Sequence, residues 1–487
     1  MAAEATPQEP PASVTIDGKE YSSLADGEYD AIILGTGLQQ VLLAGMLTLE
    51  QGKRVLVVDH NGYYGGEAAS LNLDELHQKF VDPKSESASA AFKGKLGDNR
   101  DYCVDLVPKF VMADGLLVKI LLKMNAQDYL DFRLIDGSYV YKHATDSMLW
   151  GKAQLLHKVP ATESEALSTG LVSMWGKRGL RNFLMYVSAW KEDDSSTHKD
   201  FNATSQTAAE LYAKFGLDEG AIDFVGHAMA LQADDSYLTR PAHDLIKAVQ
   251  LYAYSLAAHT KSPYLYPVYG LSTLPEAFSR VCAVRGGIFM LNQQVDEILF
   301  SEGKVAGVRV GDSAASAPIV ICSPDFAPAD RKRSTGRIVR TLALLDHPIA
   351  QIKDAASAQV IIPQKQVKRQ HDIYMTVLSR QHNVVADGKY LAIISTIAET
   401  ATPQAEVGPG IELCGDLLYR FDNITETFVP TDDGTKDNLF VMSSLDATSH
   451  FESVAREVLD TWRRVTGTDF DLKPATPDGA AGASGSA

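Results

Sequence analysis

The sequence predicts an α/β protein: a large domain that opens with a Rossmann-type βαβ unit and carries mixed sheets, and a smaller all-helical domain inserted into it. Three observations support that class. An apolar run, "YDAIILG", is followed by a helix-length segment, "LQQVLLAGMLTLEQG", and a second apolar run, "KRVLVVD"; two buried strands joined by a helix require a parallel sheet covered by helices. The stretch from Pro108 to Tyr254 is mostly helical in texture. From Phe289 onward β character returns, so the large domain is discontinuous in sequence.

Each element follows in order. Residues 1–27, rich in Ala and Pro, are expected to be a disordered tail, as are the small residues of 471–487. The large domain takes 28–107 and 255–470, and the helical domain 108–254. Within the latter, "PKFVMADGLLVKILLKM", "ESEALSTGLVSMWGKRGLRNFLMYVSAW", "AAELYAKFG" and "AIDFVGHAMALQ" read as helices, interrupted by the β-rich "YLDFRLIDGSYVYK". Beyond it, "VDEILFSEGKVAGVRV" is a hairpin turning at Ser301–Lys304, "APIVICSPD", "AQVIIP", "DIYMTVLS", "YLAIIST" and "NLFVMSS" are strands, and "FESVAREVLDTWRRVTG" is a closing helix.

The chain has 487 residues, enough for two domains, and 45% hydrophobic residues, as a globular protein should. Its formal net charge of -17 sets it against nucleic acid and bare anionic membrane as partners. Four scattered cysteines, Cys103, Cys282, Cys322 and Cys414, without C-x-x-C spacing, argue for a reducing compartment and against structural zinc. No secretory signal opens the chain, and no apolar run reaches the roughly 20 residues of a membrane helix. A soluble, cytoplasmic protein is expected.

The opening motif is a partial G-x-G-x-x-G. Gly35 and Gly37 fill the places that permit the tight turn and the approach of a pyrophosphate, but Gln40 stands where the third glycine lets helix and strand pack closely. Asp59 ends the second strand where a ribose-binding acid would sit. The same residues also read as a tight strand-to-helix turn without ligand, with Asp59 as a capping carboxylate. No G-x-S-x-G or H-E-x-x-H occurs, no metal site is indicated, and a lone His227 on an apolar helix reads as a satisfied core residue rather than a base.

Four blocks carry a resemblance: "YDAIILGTGLQQVLLAGMLTLEQGKRVLVVDHNGYYGGEAASL", "RDYCVDLVPKFVMADGLLVKILL", "KSPYLYPVYGLSTLPEAFSRVCAVRGGIFMLN" and "DATSHFESVAREVLDTWRRVTG". With "VPATESEAL", "FVGHAMAL", "IIPQKQV" and "GKYLAIISTIAET", they closely resemble Rab GDP dissociation inhibitors, from about Tyr29 to Gly467. The resemblance implies an FAD/NAD(P)-binding-like large domain related to amine-oxidase flavoproteins, working without flavin and without catalysis. Glu67, where such flavoenzymes usually carry Arg after Gly65-Gly66, agrees with Gln40. It further implies a monomer that binds GDP-bound, prenylated Rab GTPases one to one, slows GDP release, extracts them from membranes and recycles them through the cytosol. The rivals are a Rab escort protein, which presents Rabs for prenylation, and a flavin-dependent oxidase.

By resemblance, a Rab-binding platform takes Tyr64, Arg280 and Met290, with departures from the family pattern at Thr273, Glu276 and Ile288, and Ala258 where an arginine is usual. Arg280 could instead pair with Glu276 one helical turn before it. The stretch around Leu106, Val107, Tyr129, Leu130, Phe132, Val140 and Tyr141 corresponds to where relatives clamp the GTPase's C-terminal tail. A pocket for the client's geranylgeranyl lipid is expected from Leu117, Ile120, Leu121 and Met124, from Leu167, Leu171, Phe183, Leu184 and Val187, and from Phe224, Val225, Ala228 and Leu231. The same apolar faces also suit a plain core. The connection His143–His157 is longer than usual for the family.

Overall fold

The computed structural model describes residues 13–143, 155–160, 174–259, 261–352 and 355–473. Its first expectation holds. Strand β3 (Ala31–Leu34), helix α1 (Leu38–Gln51) and strand β4 (Val55–Val58) form the βαβ unit, every residue of both strands buried. They sit in a five-stranded parallel sheet in the order β12 (Ile288–Met290), β4, β3, β16 (Val320–Cys322), β22 (Leu439–Val441). The runs are short and apolar on both faces because α1 covers one side and a second sheet, through Leu24, Ile298, Val305 and Val308, packs on the other, where the sequence predicts helices.

The N-terminal tail is corrected. Ser13–Ile16 (β1) and Lys19–Glu28 (β2) pair as an antiparallel hairpin, and β2 continues onto β15 (Ser313–Ser316) in a second five-stranded sheet with β13 (Glu297–Ser301) and β14 (Lys304–Val310). Asp17 and Gly18 form its two-residue loop with φ of 50° and 76°, the left-handed pair that a tight hairpin needs. Val14 and Ile16 point inward between exposed neighbours, an alternation that the Ala/Pro-rich composition of the first residues hides. The tail expectations for 1–12 and 474–487 lie outside the described residues.

The helical domain begins later than expected. Strands β5 (Ser70–Leu71) and β6 (Val104–Asp105) pair, and β7 (Val111–Met112) and β8 (Phe132–Leu134) flank β11 (Tyr264–Pro267). Strand β9 (Gly137–Tyr141), with β10 (Leu156–Lys158) at its edge, joins a seven-stranded sheet with β18 (Ala358–Ile362), β19 (Ile373–Ser379), β20 (Tyr390–Ile397), β17 (Lys332–Leu345) and β21 (Tyr419–Pro430). All five residues of β9 are buried, so "GSYVY" has no solvent face and belongs inside a sheet. Helices α2 (Leu73–Phe80) and α3 (Ala90–Leu96) lie between β5 and β6. The helical unit proper runs from α5 (Met174–Ala189) through α6 (Ala208–Phe215) and α7 (Glu219–Asp223) to α8 (His243–His259).

Helix α4 (Leu116–Lys123) is outside that unit. It packs against α12 (Glu452–Thr466), whose Glu452 Oε1 accepts from the Leu116 N–H at 3.1 Å and caps it. At its end Met124 fits over Gly45 of α1, where an added Cβ would lie 2.4 Å from the Met124 methyl. Helix α9 (Thr273–Ala283) lies along α1, and two short helices, α10 (Pro403–Glu406) and α11 (Gly408–Cys414), cover the far side of the seven-stranded sheet.

Candidate functional site

The glycine loop folds as a nucleotide loop would, and its own side chains fill it. Gly35, with φ of 102°, turns the chain out of β3, and Gly37 starts α1. Gln40 reaches back over it: a Cβ on Gly37 would lie 2.6 Å from the Gln40 Oε1. The Gln40 amide nitrogen is buried without a partner among the described residues. Asp59 is fully engaged by its own loop. Its Oδ2 accepts from the Thr36 N–H at 2.7 Å and the Thr36 hydroxyl at 2.6 Å, and its Oδ1 from the Asn61 N–H at 2.8 Å and side-chain amide at 3.0 Å. A cavity of about 40 Å³ remains beside Gly37, Gln40 and Asp59, far below the roughly 300 Å³ at which ligand pockets begin. The residues present do not fit a flavin dinucleotide. Glu67 turns inward as well, accepting from the Leu445 N–H at 2.7 Å. Burial pushes its carboxyl up, against the neighbouring charges of Arg340 and Lys109.

At the open edge of the parallel sheet, β12 brings Ile288 and Met290 beside β4, both half-buried. Gly65 and Gly66, with φ of 103° and 56°, turn the chain after Tyr64, whose ring lies 6.1 Å from that of Phe289. Burial and then the charge of Glu276 push the Tyr64 phenol up, so Glu276 of α9 lies within electrostatic reach of it. Thr273 donates its hydroxyl to the Gly270 carbonyl at 2.7 Å at the start of α9. Arg280 makes no ion pair with Glu276 among the described residues; its guanidinium lies over the ring of Tyr129, 4.6 Å from the centre. Tyr64 and Glu276 thus lie near the strand that carries Ile288 and Met290, while Arg280, one helical turn further along α9, reaches Tyr129, one of the expected tail-clamp residues.

The start of α9 is fixed from below. Asp105 is fully buried and accepts from the Ser70 hydroxyl at 2.5 Å, the Leu271 N–H at 2.8 Å and the Tyr266 hydroxyl. This anchor was not among the residues singled out in the sequence, and its only signal is a carboxylate in the apolar run "CVDLV".

The tail-clamp set divides. Tyr129 is exposed and Leu130 and Phe132 are half-buried, so all three present surface. Leu106, Val107, Val140 and Tyr141 lie in the core. Burial on both faces of β9 withdraws the last two.

The lipid set divides too. Leu117, Ile120, Leu121 and Met124 are buried where α4 meets α1 and α12; the helical unit comes up to the start of this helix, where the Asp114 N–H donates to the Ser255 hydroxyl of α8 at 3.0 Å. Leu167 and Leu171, and most of the connection from His143 to His157, lie outside the described residues. In the helical unit, the Phe183 ring lies tilted 5.5 Å from that of Tyr212 and edge-on 5.9 Å from that of Phe215; Val187 is buried with it, and Leu184 is partly exposed. Phe224, Val225 and Ala228 lie on a π-helical turn, Phe224–Met229, which packs on α8 and β9. The open space falls just beyond them. A cavity of about 210 Å³ lies between this unit and the large one, with Met229, Leu231, Leu245, Ala248, Leu251 and Met112 as its apolar side and Gln232, Arg240, Asp244, His450, Glu452 and Arg456 making much of the rest of its lining polar. Of these, the sequence reading singled out Leu231 alone for the lipid; Met229 continues the same apolar run.

His227 is 1% exposed and fully partnered: its Nδ1 lies 2.7 Å from Asp372 Oδ2 and its Nε2 3.3 Å from Asp235 Oδ1. Burial opposes its charge, but the hydrogen bond to Asp372 and the charges of Asp372, Asp223 and Asp235 lift it to about 9.

These features define a class: an α/β scaffold of the dinucleotide-binding kind with a glutamine over its phosphate loop, joined to an apolar helical unit. An oxidoreductase from Methanosarcina mazei shares that fold at a TM-score of 0.57 and 15% identity, over 89% of this chain and 99% of its own. The chain belongs to the GDP dissociation inhibitor family, whose description matches residues 25–476. A probable secretory pathway GDP dissociation inhibitor of Schizosaccharomyces pombe is 46% identical over 92% of this chain and 98% of its own. The Rab GDP dissociation inhibitor beta of Canis lupus familiaris is 43% identical over 92% of this chain and 96% of its own. The crystal structure of a Rab GDI from Plasmodium falciparum matches at a TM-score of 0.85 and 41% identity, covering 91% of this chain and 99% of that one.

Proposed function

We propose that this chain is a Rab GDP dissociation inhibitor that captures prenylated, GDP-bound Rab GTPases one to one, slows GDP release and carries them between membranes through the cytosol. It does so by binding, without catalysis and without flavin. The observation that carries the reading is the edge beside β12, where Tyr64 meets the strand of Ile288 and Met290 within reach of Glu276, and Arg280 of the same helix covers the exposed Tyr129. A carrier favours the GDP form only by binding it better than the GTP form, and a surface joining strand, helix and turn can read such a difference. Covering a lipid anchor must offset about 0.8 kcal/mol per CH₂ gained in a bilayer. The helical unit supplies one apolar side, Met229, Leu231, Leu245, Ala248 and Leu251, to a cavity otherwise lined largely by polar groups, and the walls must part, because 210 Å³ falls below the roughly 300 Å³ at which ligand pockets begin. No helix among the described residues is long and apolar enough to cross a membrane. The test is extraction of prenylated Rab from vesicles at stoichiometric carrier, with GDP or GTP loaded. Release of the GDP form alone is expected; Rab left on vesicles in both states overturns the reading.

A further inference from the structure

The π-turn that contributes Met229 to the 210 Å³ cavity has an uncommon backbone. Its hydrogen bonds step by five residues, Ala230 N–H to Val225 carbonyl at 2.8 Å, and it is followed by Leu231 at a φ of 54°, a left-handed conformation unfavourable for a branched side chain. π-Turns of this kind recur at functional sites. What ties this one down is His227 at its centre. The ring bridges Asp372, immediately before β19 of the seven-stranded sheet, and Asp235, in the segment that follows the turn. The same Nδ1 lies 3.1 Å from the carbonyl of Gln232, which itself lines the cavity. A second cation crosses beside it: Lys365, just beyond β18, reaches Asp223 at 3.2 Å and Asp235 at 3.1 Å. Two cations and three carboxylates therefore join the helical unit to the sheet at the cavity wall.

We propose that His227 is a positioning residue for lipid capture: clamped between Asp372 and Asp235, it holds the π-turn, and with it the Met229–Leu231 wall, in the arrangement that accepts a prenyl chain. The inference rests on the lipid reading above and deepens it. His227 touches no lipid itself. It acts through the backbone it fixes, so its loss should reduce lipid affinity while sparing contacts made on the platform. Its charge is held by Asp372, Asp223 and Asp235, with Lys365 as the neighbouring cation and the Tyr237 ring edge-on at 6.4 Å, its phenol pushed up by burial.

The probe is a fluorescent geranylgeranyl-cysteine peptide, titrated into the full chain. His227→Gln and Asp372→Asn should each weaken peptide binding at least tenfold, while binding of unprenylated GDP-bound Rab stays within twofold of wild type. Wild-type affinity for the peptide should fall between pH 7.5 and 9.5, and His227→Gln should show no such dependence. Should His227→Gln fail to fold, Lys365→Met, at a partly exposed side chain, is expected to give a smaller loss in the same direction. Folded variants that bind the peptide as wild type does overturn the inference alone. A wild-type protein that takes up no peptide overturns the lipid reading, and this inference with it.

Discussion

Arg280 stacks over Tyr129, guanidinium carbon to ring centre 4.6 Å, and so couples helix α9 to the exposed segment before β8. An exposed cation–π contact contributes roughly 0.5–1 kcal/mol, too little to hold the fold but enough to orient a long side chain. Arg280→Ala is expected to weaken capture of prenylated GDP-bound Rab by about tenfold or more, as interface arginines often do. Tyr129→Leu should weaken it by a smaller factor, with an unchanged melting temperature. Isothermal titration with both variants checks the order; equal binding by wild type and Arg280→Ala removes the residue from the platform.

The platform helix also depends on a knot beneath it. Gly270, at φ of 85°, sits where an added Cβ would meet the Ser70 hydroxyl at 2.9 Å, Asp105 Oδ1 at 3.0 Å and the Cys103 carbonyl at 3.2 Å. Gly286, just beyond α9, has a similar φ of 88° but nothing within 4 Å. Alanine at either position pays about 1–2 kcal/mol for the left-handed backbone. Gly270→Ala should cost clearly more than Gly286→Ala in urea denaturation, and it alone should lower Rab affinity by shifting the start of α9. Equal losses would show that the crowding at Gly270 relaxes freely.

Much of this was legible in the sequence, and the failures have physical causes. The βαβ opening, the hairpin turning at Glu302–Gly303 and the closing helix follow from period and turn chemistry. The Asp17–Gly18 hairpin was equally readable, yet composition masked it. Strand β17 begins with the charged run Lys332–Arg337 and β21 is half-buried along most of its length, so neither shows clean alternation. The apolar stripe of α4 was recognised, but its partner was not: Met124 over Gly45 is a tertiary fit with no local signature. His227 was correctly read as a satisfied core residue, while its partner Asp372 lies far along the chain.

Asp59 illustrates a motif whose role the sequence left open. Its carboxylate satisfies Thr36 and Asn61, so Asp59→Ala leaves buried donors unpaired at about 1–3 kcal/mol each. A loss of roughly 3 kcal/mol in denaturant stability is expected. Gln40→Gly should open space above Gly37 without conferring flavin binding, because Asp59 remains committed to its loop. Absorption spectra after incubation with FAD and desalting check this; a retained visible band in the variant would show that Gln40 alone had closed the site.

The buried His227–Asp372 pair also ties stability to pH. His227 is lifted to about 9, above the ~6.5 of an unperturbed imidazole, so the folded chain holds this proton more tightly than the unfolded one. The resulting stabilisation is complete below pH ~6.5 and is lost as pH rises through about 9. At ~1.4 kcal/mol per unit the loss is on the order of 3 kcal/mol. Other groups titrate in the alkaline range, so the measurement is a difference: urea denaturation of wild type and His227→Gln at pH 7 and pH 10. The gap between them should be wide at the lower pH and narrow at the higher. A gap that stays constant would mean that the histidine packs there as a neutral ring, and that Asp372 finds its compensation elsewhere.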